Sequence, residues 1–236
     1  MTLEFTAFTA DNNGFRFANS FVTPITIPGN IINPPTLNGL CGGMSWAALD
    51  YFHAGKPIPT DDFAAVGGLP PTSTPLYRQI LERHIASLGL RVVPPFTPLA
   101  IPLLGLPIPV AVLPIPADTH NALQFLKPDS FWTSTELTHQ ITAATTALRA
   151  GRPTAFGLVD ATSVLSSHVV VATGFDDAPA AAPGATDFFL YDCRQPMKTC
   201  TLRVTPQSRT CVLDCPGLSP EPWKGFFVEH YTVAAP

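Results

Sequence analysis

Charge is scarce in this chain. Charged residues make up 13% of its 236 positions, 13 Lys and Arg stand against 17 Asp and Glu, and the formal net charge is −4. With no basic excess there is no stripe of cations to track a phosphate backbone, so a nucleic-acid partner is excluded. The opening residues Met1-Thr2-Leu3-Glu4-Phe5-Thr6 lack the positive region and continuous apolar stretch of a secretory signal. A cytoplasmic protein is therefore expected, with signal-independent secretion as the alternative. An unbroken apolar helix is missing too. Residues 94–116 are strongly hydrophobic, but eight prolines interrupt them. A backbone that cannot close its own hydrogen bonds does not cross hydrocarbon, so no transmembrane segment is expected. That stretch reads instead as an extended cover over the core, or as a contact for a partner or an acyl chain. His53, His84, His120, His139 and His230 show no metal-ligand spacing, and no cofactor or metal is expected.

What is present is a hydrophobic content of 46%, enough for one large core in a single domain. Met44, Ala47, Ala48 and Tyr51 recur at helical spacing and predict a helix from Cys41 to about His53, stopped by Gly55 and Pro57. A second helix is expected after Thr74, with Pro75 in its first turn and Leu76, Ile80, Ile85 and Leu88 turned inward. Thr133 and Glu136 fit a capping box before a third, which ends at Arg149-Ala150-Gly151. Strands are expected over 154–159, 168–175, 188–192, 201–204, 210–213 and 225–231, and short strands within an extended lead-in over 1–37. Helices first and antiparallel strands second describe an α+β protein, with a helical half over about 1–150 and a β half over 151–236.

Chemistry concentrates at two places. Cys41 stands between Gly39 and Gly42-Gly43 at the start of a predicted helix. There the free backbone N–H groups and the positive dipole end favour a thiolate. His168 opens the apolar run His168-Val169-Val170-Val171-Ala172-Thr173-Gly174, and Asp192 follows the strand Phe188-Phe189-Leu190-Tyr191. An imidazole can take the thiol proton and an aspartate can fix the ring's tautomer, the logic of a nucleophilic triad. The other cysteines, Cys193, Cys200, Cys211 and Cys215, have six, ten and three residues between them. They lack paired Cys-x2-Cys knuckles, so disulfides in one of three connectivities, or buried thiols, are favoured over zinc.

Cys41-Gly42-Gly43-Met44 opening a helix, Gly151-Arg152-Pro153 leading into a strand, the His168 run ending in Asp176-Asp177, and Tyr191-Asp192 together resemble the papain-like cysteine peptidase superfamily. The likeness is closest to its bacterial branches that include leader-peptide-cleaving enzymes, and in motif terms it covers residues 38–52 and 150–195. It implies a nucleophile helix in a helical half packed on a β-sheet or barrel half, catalytic roles for Cys41, His168 and Asp192, no cofactor, and a peptide or protein substrate. The chain departs from the family in having Pro35 where a glutamine would donate into the oxyanion hole. Asn38 and Asn33 are the amides available nearby. A second ambiguity is Ser45-Trp46-Ala47, which mimics the family's Cys-Trp-Ala run and would put Ser45 at the nucleophile position. Hydrolysis through a thioester acyl-enzyme, acyl transfer to an amine, and a catalytically inactive binding module all remain open on these residues.

Overall fold

The computed structural model describes residues 2–24, 36–61, 63, 68–89, 120–163 and 166–236. Asn33 and the proline-rich 94–116 stretch lie outside the described residues. The chain is α+β. In order it forms β1 (Leu3–Phe5), α1 (Ala10–Asn13), β2 (Val22–Pro24), β3 (Thr36–Asn38), α2 (Cys41–His53), α3 (Pro75–Ser87), α4 (His120–Phe125) and α5 (Ser134–Arg149). Then come β4 (Thr154–Val159), β5 (His168–Asp176), β6 (Thr186–Tyr191), β7 (Thr199–Thr205), β8 (Thr210–Asp214), β9 (Glu221–Trp223) and β10 (Gly225–Val228).

The helix boundaries follow from local chemistry. Thr74 caps α3 by accepting the Tyr77 N–H at 3.2 Å, with Pro75 at the first position, where a missing N–H costs nothing. Thr133 caps α5 by accepting the Glu136 N–H. The return half of that capping box is not made, because Glu136 Oε1 accepts from Gln140 Nε2 instead. Gly151, with φ of 71°, closes α5. Its N–H reaches the Leu148 carbonyl and the Arg152 N–H reaches that of Ala147, the double bond of a Schellman stop.

The strands form one antiparallel sheet in the order β10-β4-β5-β6-β7-β8-β9, and β1 pairs with the far part of β5. Its two ends are consecutive in sequence, with only Lys224 between β9 and β10, so the sheet must curl to bring them together. The core shows the same curvature. In a flat sheet β10 and β6 would stand about 14 Å apart, three strand spacings. Yet the rings of Phe226 and Phe188 have centroids 5.6 Å apart and share Phe156 at 5.1 Å from each. These aromatic rings fill the concave side of a half-barrel.

The helix α2 lies between α3 and strands β4 and β5. The spacing of Met44, Ala47, Ala48 and Tyr51 marks one apolar face, but Gly42 through Asp50 are all buried, because packing comes from both sides. The approach of α3 requires glycine. A Cβ on Gly43 would lie 2.0 Å from the Ile80 carbonyl oxygen and 2.9 Å from His84 Cβ, and main chain cannot step aside as a flexible side chain can. Alanine gains about 1 kcal/mol of helix propensity over glycine, while overpacking a tight contact costs about 1–3 kcal/mol or more. Gly43→Ala should therefore lower the urea midpoint, and a rise would show that α3 gives way freely.

The two halves are not divided cleanly at residue 150. β1 joins the sheet of the C-terminal half, and residues after β10 return to the helices, where the Tyr231 hydroxyl and the Ala234 N–H both donate to Asp50 on α2. Among the described residues no helix is long and apolar enough to cross a membrane.

Candidate active site

Cys41 is the first residue of α2 and is half-buried. The preceding residue, Leu40, offers no side-chain cap, so the N–H groups at this helix end are left for the thiol and for whatever approaches it. His168 and the backbone N–H groups of Val169 and Gly42 lie near enough to the sulfur to favour its ionised form. His168 opens β5, and its Nε2 lies 2.8 Å from Asp192 Oδ1. With Nε2 engaged, Nδ1 is the ring nitrogen left for the thiol. Asp192 directly follows β6 and is fully buried. Besides His168 it accepts the Arg194 N–H at 2.8 Å and the Arg194 guanidinium at 3.0 and 3.2 Å, and Arg194 is held in turn by Glu221 at 2.9 Å. Trp223 stacks over the imidazole, centroid to centroid 6.3 Å, and shields the ring from water.

The electrostatics set the proton distribution. Burial by itself pushes the Cys41 thiol up, but the hydrogen bond and charge of His168, with the two backbone N–H groups, more than offset it, and the pKa is lowered. Burial pulls His168 down, yet the Asp192 carboxylate and the Cys41 sulfur raise it to about 9. Burial opposes ionisation of Asp192, and His168 with Arg194 overcome that and hold it well below the usual carboxylate range. A low thiol and a high imidazole favour the thiolate-imidazolium pair. The other two thiols go the opposite way. Burial, Asp192 and Cys41 push Cys193 well up, and burial pushes Cys211 up to about 12. Glu229 is a buried acid in the same field. Burial, with the Cys41 charge, outweighs its hydrogen bond from Trp46 and pushes it up to about 8. It therefore stays neutral below that pH and does not oppose the thiolate.

The structure separates the two candidate nucleophiles. Ser45 is fully buried and its Oγ donates to the Val169 carbonyl at 3.0 Å. It ties α2 to β5 beside His168 and is out of reach of a substrate, whereas Cys41 touches the imidazole. Of the candidate oxyanion amides, Asn38 ends β3 and is exposed. Sequence reasoning missed Asn19, whose Oδ1 accepts the Leu40 N–H at 2.7 Å and whose own N–H donates to the Cys193 carbonyl at 2.9 Å. It bridges the turn before Cys41 and the turn at Asp192. No spacing rule could find it, because it lies 22 residues before Cys41 and is joined to it only by the fold.

No family model matches the chain, and neither a curated protein nor a solved structure is detectably similar to it.

The cysteine cluster resolves into one disulfide, Cys200–Cys215, and two buried thiols, Cys193 and Cys211. Thr201 faces Asp214 across β7 and β8, so the next residues outward, Cys200 and Cys215, meet directly. Two sets of ligand-type atoms lie close enough for a metal among the described residues: His168, Asp192 and Cys193, and Asp192, Cys200 and Cys215. Both depend on Asp192, which is already committed to His168 and Arg194, and the second would need the disulfide opened. Neither set fits a metal centre while these bonds stand. The arrangement that is complete is a thiol, a base and an orienting acid.

Proposed function

We propose that this chain is a papain-like cysteine hydrolase that cleaves a peptide or related amide bond through a thioester acyl-enzyme. The observation that carries the reading is the ordered contact from a helix-start thiol to His168 and from His168 to Asp192, with the thiol lowered and the imidazole raised. In the proposed reaction the Cys41 thiolate adds to the scissile carbonyl. His168 returns its proton to the leaving amine, and water attacks the thioester, with His168 as base, to release the acid. An amine in place of water would make the same enzyme an acyltransferase. The Cys200–Cys215 bond supports work in an oxidising compartment after release from the cytoplasm, because such bonds do not persist among reducing thiols.

The test is the pH dependence of iodoacetamide alkylation, read by peptide mass spectrometry, in the wild type and in His168→Ala. Labelling below pH 7 should be fast and confined to Cys41, leaving Cys193 and Cys211 unmodified, and should collapse in the variant. Labelling in both proteins that follows an ordinary thiol near pH 8.5 would defeat the reading and leave an inactive binding module in its place.

A further inference from the structure

Chemistry on an acyl group places negative charge on the carbonyl oxygen, and the site described so far offers that oxygen one evident donor, the Cys41 N–H. The first backbone hydrogen bond at the start of α2 runs from Met44 N–H to the Leu40 carbonyl. The Cys41 N–H has no acceptor among the described residues and emerges beside the thiol. One backbone donor is rarely enough, because an oxyanion is held by converging donors fixed before the reaction.

We propose that the side-chain amide of Asn19 is the second oxyanion donor, a catalytic residue for the acyl-transfer reaction inferred above, on which this proposal rests. Three observations hold the amide next to the turn before Cys41 and carry the proposal. Its Oδ1 accepts the Leu40 N–H, one residue from the nucleophile. That bond also settles which end is oxygen, since a backbone N–H needs an acceptor. Its main chain is anchored on the other side, to the Cys193 carbonyl next to Asp192. Third, Gly39 makes room for it. This residue has φ of +88°, and a Cβ there would lie 2.7 Å from Asn19 Nδ2 and 3.2 Å from its Cγ. Glycine lets the amide lie flat against the chain two residues before Cys41. With Oδ1 committed, Nδ2 carries two N–H groups that meet no acceptor among the described residues. Asn19 is only partly buried, so a bound acyl group can reach them. The role normally filled by an amide shortly upstream of the nucleophile thus comes from a distant segment folded into place.

Two reagents separate this role from a structural one. With p-nitrophenyl acetate the Cys41 thiolate adds to the ester carbonyl, and the carbonyl electron pair moves to oxygen as the oxyanion. That intermediate collapses to expel p-nitrophenolate and leave an acetyl thioester. With iodoacetamide the thiolate displaces iodide directly and no oxyanion forms. In Asn19→Ala and Asn19→Asp, the ratio of acetylation rate to alkylation rate at one pH is expected to fall about 10²-fold. Asp keeps the acceptor for Leu40 and removes the donor, so its alkylation profile shows whether the turn before Cys41 is intact. An unchanged ratio in both variants overturns the proposal, as does equal slowing with both reagents, which would mark Asn19 as structural only. If wild-type Cys41 alkylates like an ordinary thiol, it is the hydrolase reading that fails; fast wild-type alkylation with an Asn19-independent ratio removes this inference alone.

Discussion

Asparagine in place of Asp192 is expected to slow Cys41 alkylation at pH 6 by about 10²-fold and to lower turnover on any substrate by up to about 10⁴-fold. The first figure follows from ionisation, since a thiol of pKa about 8.5 is only about 0.3% thiolate at pH 6. The second is the known cost of the wrong imidazole tautomer in a triad. Asp192 is what holds His168 up near 9 against burial, and His168 is what holds Cys41 down. Removing the carboxylate charge lowers the imidazole pKa and raises the thiol pKa, so the pH window in which the ion pair exists narrows from both sides. The acid limb of the alkylation profile should move up toward that of a free thiol. The alkaline limb of turnover should move down from about 9.

Arg194 makes this substitution worse than the swap of a carboxylate for an amide would suggest. The guanidinium donates to Asp192 Oδ2 while His168 Nε2 donates to Oδ1, so both faces of the side chain must accept. An asparagine has one accepting face. If its oxygen turns to Arg194, its NH2 meets His168 and forces the ring proton onto Nδ1, the nitrogen that must receive the thiol proton. If its oxygen turns to His168, its NH2 meets the guanidinium. Adding Arg194→Met to Asp192→Asn removes the conflict and should restore part of the alkylation rate at pH 6. A double variant no faster than Asp192→Asn alone would show that the carboxylate charge, and not the tautomer, is what the site needs.

The parts of this site that were legible in the sequence are those written in local chemistry. The helix α2 runs from Cys41 to His53 as its glycines and apolar spacing indicate, and Thr74, Thr133 and Gly151 mark helix ends where their side chains or backbone freedom are used. His168 and Asp192 stand out as candidates because each borders a strand whose apolar run is unmistakable. What was not legible depends on pairings between distant segments. β1 is three residues long, too short for its Leu3-Glu4-Phe5 alternation to mark a strand, and it pairs where the far part of β5 continues past its bond with β4. The Cys200–Cys215 pairing is decided by the β7–β8 register, which spacing leaves open among three connectivities. Asn19 belongs to the same class, as its neighbours Leu40 and Cys193 come from opposite halves.

Asp50 is the other residue whose weight only the fold reveals, and Asp50→Ala is expected to cost about 3–5 kcal/mol of stability, lowering Tm by roughly 6–20 °C for a chain of this size. It is fully buried on α2. Its Oδ1 accepts from the Tyr231 hydroxyl at 2.7 Å, the Ala234 N–H at 2.9 Å and Arg83 Nη2 at 3.1 Å, and Arg83 Nε lies 2.7 Å from Oδ2. One carboxylate thus joins α2, α3 and the segment that leaves the sheet after β10. The pKa of Asp50 is nevertheless raised, because burial outweighs its donors and Arg83 together. Taking this charge out of water costs more than its partners return, so the pair contributes little net stability compared with an apolar one. The expected loss on truncation comes instead from the groups left behind: a guanidinium with little exposure that keeps the Thr232 carbonyl but loses its counter-charge, and a phenol and a backbone N–H that lose their acceptor. It follows that Asp50→Leu combined with Arg83→Met should lose much less than Asp50→Ala alone. Differential scanning calorimetry of the three proteins decides the matter: a double variant as unstable as the single one would mean that the carboxylate itself, through the segments it joins, holds the nucleophile helix in place.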